Sequence, residues 1–152
     1  MSPKHILVAV DESKHSETVL NFYLKNFYVK GDSLLLLHVI QPAIISVGFS
    51  ASVVVDEKCE EVLTKEEEKA RKLLKKYMDL CEEYELKIRA LIEPGKNPGE
   101  VIVGVAEKNN VDMIVMGSRG LGLLRRTLEG SSSDYVLNNV HIPLTVVPAS
   151  EE

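Results

Sequence analysis

The chain contains no tryptophan, and only 5% of its 152 residues are aromatic. Few rings are left to stack on unpaired bases, which argues against a single-stranded nucleic-acid surface. Positive charge is also in deficit, with 18 lysines and arginines against 23 acids and a net charge of -5. Neither a long nucleic acid nor an anionic membrane is an expected partner, whereas a local site for a small anion stays open. Cysteine is scarce as well: Cys59 and Cys81 are the only two, and both fall in one helical pattern. Along a helix they would stand roughly 33 Å apart, beyond the reach of a disulfide. Reduced thiols and a cytoplasmic location are the expectation. No metal site is expected, because the cysteines lack ligand spacing and His5, His15 and His141 form no grouping.

Long hydrophobic runs are missing too. The apolar run after His5 is cut short by Asp11 and Glu12, too soon for a signal peptide. Residues 33–55 carry no formal charge and have the length of a membrane span. His38, Gln41 and Pro42 break the stretch, and Ser46, Gly48, Ser50 and Ser52 dilute its second half. It reads as a buried strand followed by an apolar loop rather than a span.

The two best-known nucleotide signatures are absent. No Gly-x4-Gly-Lys occurs, and Gly120-Leu121-Gly122, the nearest approach to Gly-x-Gly-x-x-Gly, has Arg125 where the third glycine belongs. Neither a Walker-type ATPase nor a dinucleotide oxidoreductase is implied.

What is present is an alternation of strand and helix. His5 to Val10 reads as a buried strand, with Ser13 a candidate cap for a helix over 14–29 that Gly31 closes. Leu34 to Ile40 is a second strand. An apolar connection over 42–56 has no placeable turn and is read as a mobile surface loop, with a lid or a subunit contact as the other uses. Cys59, Val62, Leu63, Ala70, Leu73, Leu74, Tyr77, Met78 and Cys81 then form the apolar stripe of one helix from Asp56 to about Tyr84. Its other face, rich in glutamate and lysine, is a solvated one. Leu86 to Ile92 alternates basic and apolar residues and is expected half exposed at a sheet edge. Pro98 opens a helix to about Lys108, and Val111 to Met116 is an apolar strand that leads straight into Gly117. A helix over Ser131 to Asn138 and a last strand, Ile142 to Val147, complete the chain.

Five strands alternating with four helices predict a single α/β domain over 1–152, a three-layer sandwich around a five-stranded parallel sheet. In such sheets ligands sit beyond the carboxyl ends of the strands, where the strand order reverses. Asp11, Val39 and Gly117 all follow or end strands on that edge. The segment Gly117-Ser118-Arg119-Gly120, with Gly130-Ser131-Ser132-Ser133 after it, has the makings of a phosphate cradle. Glycine permits positive φ and close approach, and backbone N–H groups and a helix N-terminus attract phosphate. The plainer use of these glycines is as turn and helix punctuation. Arg119 and the pair Arg125-Arg126 are candidate phosphate partners, with solvent exposure the plainer place for the pair. His38, inside an apolar strand, reads as a satisfied core histidine rather than a general base. The serines show no base partner that would make one a nucleophile.

The spacing Gly117-x2-Gly120-x9-Gly130-Ser131, directly after Val-Asp-Met-Ile-Val-Met, resembles the universal stress protein family in its ATP-binding form. Ile6-Leu-Val-Ala-Val-Asp11 with Ser13, Leu36-Leu-His-Val39, Ser133-Asp-Tyr-Val-Leu137 and Ile142-Pro-Leu-Thr-Val-Val-Pro148 also look like family sequence, so the resemblance spans nearly the whole chain. It implies a Rossmann-like fold of the adenine nucleotide alpha hydrolase type and a cytosolic regulatory protein holding ATP or AMP, with Mg2+ on the phosphates. By the same resemblance Ala9, Val10 and Asp11 would hold adenine and ribose, and the backbone of Val39 would meet the adenine edge. Met116, Gly117, Arg119, Gly120, Gly130, Ser131, Ser132 and Ser133 would surround ribose and phosphates. The family commonly pairs through its last strand, which implies a homodimer through 142–147. A slow ATPase or phosphotransferase is the alternative from the enzyme class, and a nucleotide-independent interaction protein the alternative from the binding class. No catalytic residue is assigned.

Overall fold

Five runs of apolar residues line up as parallel strands, the central ones buried almost end to end, and helices cover both faces of the sheet they make. The computed structural model describes residues 2–40, 53–54, 65–118 and 132–148. In chain order the elements are β1 (His5–Ala9), α1 (His15–Asn26), β2 (Ser33–Ile40), β3 (Val53–Val54), α2 (Lys65–Leu80), β4 (Lys87–Pro94), α3 (Pro98–Lys108), β5 (Met113–Gly117), α4 (Ser132–Asn139) and β6 (Leu144–Val147). The sheet order is β3-β4-β2-β1-β5-β6, with β4, β2, β1, β5 and β6 parallel.

Successive side chains on a strand point to opposite faces, so each central strand feeds two cores. Ile6, Val8, Leu34, Leu36, Ala90, Ile92 and Val115 pack on one side against Val19, Leu20 and Tyr23 of α1 and Ala70, Leu74 and Tyr77 of α2. Leu7, Ala9, Leu35, Leu37, Leu91, Ile114 and Met116 pack on the other against Ile102, Val105 and Ala106 of α3 and Val136 of α4. The expected three layers are therefore present.

Local details depart from expectation where short-range chemistry competes with periodicity. The loop over 42–56 contains a two-residue strand, β3, which pairs antiparallel with Leu91 and Ile92 of β4. Two residues are too few to register as a pattern. Their pairing also corrects the edge position expected for β4: its carboxyl half has a partner on each side, while Lys87 and Arg89 in its amino half stay exposed. The stripe helix is described from Lys65, and 55–64 with Cys59 lie outside the described residues. That helix stops at Leu80 rather than Tyr84, because Cys81, Glu82 and Tyr84 donate to carbonyls three residues back and tighten the chain into turns. Ser13 does not cap α1. Lys14 stands at the N-cap without a side-chain hydrogen bond, and the Ser13 hydroxyl turns to Asp11 instead. α3 begins as expected at Pro98, and the preceding Asn97 accepts from the N–H groups of Gly99 and Glu100.

Away from the carboxyl edge, Asp32 is 1% exposed. Its carboxylate accepts from the Lys4 N–H at 2.8 Å, the Val29 N–H at 3.0 Å and the Tyr23 hydroxyl at 2.6 Å. These bonds tie the start of β1 and the end of α1 to β2, and nothing in the sequence pattern singled Asp32 out.

Candidate functional site

The chain runs from β1 outward to β2 and β4, then returns to the other side of β1 as β5. The carboxyl ends of β1 and β5 consequently flank the place where the strand order reverses. Val10 continues the β1 ladder, its N–H donating to Leu37 at 2.9 Å. Asp11 then turns the chain. Its Oδ1 accepts from the Ser13 N–H at 2.8 Å, from the Ser16 hydroxyl at 2.9 Å and from the Ser13 hydroxyl. Ser16 Oγ in turn accepts from the Asp11 N–H at 2.8 Å. This Asx-turn holds a half-buried carboxylate at the mouth of β1 and joins it to the first turn of α1.

On the neighbouring strand, His38 is buried and its Nδ1 donates to the Val10 carbonyl at 3.0 Å. That bond fixes the hydrogen on Nδ1 and bears out the core-histidine expectation. Val39 follows it, 7% exposed, and the Ile40 carbonyl accepts from the Gly95 N–H at 3.0 Å. Gly95 has no room for a side chain, since a Cβ there would lie 2.3 Å from Cγ2 of Val101.

On the far side, Met116 and Gly117 are buried at the end of β5. The Ser118 N–H donates to the Val147 carbonyl at 3.0 Å, and His15 Nε2 lies 2.9 Å from the same oxygen. A Cβ on Gly117 would sit 2.5 Å from Cδ2 of His15 and 2.8 Å from its Nε2. Of the two freedoms that glycine offers, close approach is the one used at Gly117: among the described glycines only Gly31 has a positive φ, whereas the imidazole occupies the side-chain space of Gly117.

Of the expected site residues, Ala9, Val10, Asp11, Val39, Met116 and Gly117 thus gather at one end of the sheet. Ser132 and Ser133 are the first residues of α4. Arg119, Gly120, Gly130 and Ser131, together with Arg125 and Arg126, lie outside the described residues. Among the described residues no group of three or more His, Cys, Asp or Glu could hold a metal ion. Among them also, no helix is long and apolar enough to cross a membrane.

The sequence profile of the universal stress protein family matches residues 3–148. The chain belongs to the universal stress protein family. It is 30% identical over 155 residues to universal stress protein MJ0577 of Methanocaldococcus jannaschii, covering 95% of this chain and 94% of that one. The solved structure of MJ0577 overlays with a TM-score of 0.77 across 100% of both chains. A second protein of that organism, universal stress protein MJ0531, is 40% identical over 80 residues, a stretch that covers 53% of this chain and about half, 46%, of its relative. Universal stress protein UspA of Lactobacillus plantarum, 18% identical, shares the fold with a TM-score of 0.64 over 97% of this chain and 99% of its own.

Within this universal stress protein, the residues that sequence reasoning passed over are His15 and Ser16. Asp11, Ser13 and Ser16 have the spacing of a side-chain-to-backbone turn and could have been read as one. His15 offered no such signal, because its partners Gly117 and Val147 are brought to it by the fold alone.

Proposed function

We propose that this chain is a cytosolic adenine-nucleotide-binding regulatory protein, holding ATP or AMP at the carboxyl edge of its sheet. The observation that carries this is the meeting of two loop origins at the strand-order reversal. The Asp11 turn and the Gly117–Ser118 end of β5 are joined there through His15. One origin presents a fixed carboxylate, suited to accept hydrogen bonds from ribose hydroxyls. The other opens the glycine and serine segment whose spacing suits phosphate.

In this assignment Ala9, Val10 and Asp11 hold adenine and ribose, and the Val39 backbone meets the adenine edge. Met116, Gly117, Arg119, Gly120, Gly130, Ser131, Ser132 and Ser133 enclose ribose and phosphates. Mg2+ is placed in this reading as a companion of the phosphates. Homodimerisation through β6 accompanies this reading. Val146 is 38% exposed on that strand, and an apolar edge strand favours pairing with another.

Mass spectrometry of ligand released from the purified protein tests the proposal, together with thermal shifts on adding ATP, AMP and cAMP. The third nucleotide is included because a fold neighbour of 16% identity was solved in complex with cAMP. ATP or AMP is expected in the released fraction or as a stabilising ligand. No nucleotide released and no shift with any at millimolar concentration would sink the idea. Phosphate release compared between the wild type and Asp11→Ala separates a binder from a slow ATPase.

A further inference from the structure

We propose that His15 is a positioning residue for the nucleotide site, an imidazole brace that holds its two halves in register; this rests on the nucleotide-binding reading above. His15 is the first residue of α1, and two contacts of its ring, with the bonds of its neighbour Ser16, define its role. Its Nε2 lies 2.9 Å from the Val147 carbonyl, the oxygen that also accepts the Ser118 N–H at 3.0 Å. A carbonyl oxygen has two lone pairs, so both donors are served at once. Its ring fills the side-chain space of Gly117, and Val147 is the ladder partner of Gly117 across β5 and β6. The next residue, Ser16, exchanges two hydrogen bonds with Asp11.

A continuous path therefore runs from the Asp11 carboxylate through Ser16 and the first turn of α1. It continues through the imidazole to the place where the chain leaves β5 for the glycine segment. Displacing the ring would free the Ser118 turn and the end of β6 from α1, and the two halves of the site would lose their common reference. The donor must carry a hydrogen on Nε2, at the reach of a two-methylene side chain. Glutamine supplies an N–H at that reach, asparagine falls short, and leucine has no donor.

The test is nucleotide titration by calorimetry of wild type, His15→Gln, His15→Asn and His15→Leu with ATP and AMP, alongside melting temperature and amide hydrogen exchange at Ser118. Loss of one well-placed hydrogen bond corresponds to about tenfold in affinity, so the Leu and Asn variants are expected to bind about tenfold more weakly. The Gln variant should stay within about threefold of wild type, and Ser118 exchange should speed up in Leu and Asn but not in Gln. Rescue by Gln at unchanged melting temperature is what a merely space-filling histidine would not give. Equal affinity in wild type and the Leu variant, or equal loss in Gln and Leu, overturns the positioning role and leaves the nucleotide site standing. A wild type that binds no nucleotide overturns the site itself. Ser118 exchange that is the same in every variant then overturns the brace as well. Should the Leu variant fail to fold, the Asn-against-Gln comparison decides alone.

Discussion

His15 and Gly117 occupy a space that can hold only one side chain: the imidazole Cδ2 lies 2.5 Å from where a Gly117 Cβ would be. The Gly117→Ala variant therefore displaces the ring from its place beside the Val147 carbonyl, with Val19 Cγ2 also only 3.1 Å from the added carbon. Overpacking a filled site of this kind costs about 1–3 kcal/mol. Urea unfolding should show that loss, and nucleotide affinity should fall with it. Wild-type stability in Gly117→Ala would mean the ring moves at no cost and holds nothing in place.

That pair also shows where the sequence was and was not legible. The central strands were readable because Ile6 to Val10 and Leu34 to Ile40 are buried on both faces and so appear as unbroken apolar runs. The position of Asp11, Val39 and Gly117 on one edge followed from that topology without any side-chain information. His15 was not readable, since its partners are 102 and 132 residues further on. β3 was missed because two residues carry no period, and Asp32 because a lone acid next to a turn looks like a surface residue. Ser13 had the right type for a helix cap, but Lys14 takes the N-cap position, and the Ser13 hydroxyl is oriented by donating to Asp11, two residues earlier.

Asp32 should be among the most costly polar residues to remove. Asp32→Ala leaves the Tyr23 hydroxyl and the N–H groups of Lys4 and Val29 without their acceptor in a site that is 1% exposed. Each stranded donor costs about 1–3 kcal/mol, so a total of about 3 kcal/mol or more is expected. Tyr23→Phe strands no donor and removes a single bond, for about 1 kcal/mol. Chemical denaturation of the two variants checks the order. Equal losses would mean that the backbone donors find other acceptors.

Stability should fall on the alkaline side, through groups that burial keeps protonated. Burial pushes the Cys81 thiol up to about 11 from an ordinary 9.0. Tyr23 is pushed far above its ordinary value, first by burial and then by its hydrogen bond to Asp32. A group whose folded pKa is raised contributes stability that is complete below its unfolded pKa and is lost as pH rises toward the folded one. For Cys81 the window is pH 9 to 11, with a loss on the order of 2 kcal/mol, and Tyr23 extends the decline above pH 10. Denaturation midpoints taken from pH 8 to about 11 should drop in the wild type and drop less in Cys81→Ala. Parallel profiles for the two proteins would show that the thiol does not contribute.

Asp11 has a folding role and a proposed binding role, and two substitutions separate them. Oδ1 of Asp11 accepts the Ser13 N–H and the hydroxyls of Ser13 and Ser16, all bonds that an asparagine oxygen can also accept. Asp11→Asn should therefore keep the turn, with a stability loss below about 1 kcal/mol, because these three bonds lose only their charge assistance. Asp11→Ala removes the acceptor altogether and should cost about 1–3 kcal/mol. A carboxylate that also receives ribose hydroxyls makes charge-assisted bonds worth about twice a neutral one. Nucleotide affinity is accordingly expected to fall clearly in Asp11→Asn even though its melting temperature stays near the wild type. Calorimetric titration beside a thermal melt reads both quantities from one preparation. An Asn variant that binds ATP and AMP as tightly as the wild type would confine Asp11 to building the turn, and the recognition of ribose would have to be sought in other residues of the site.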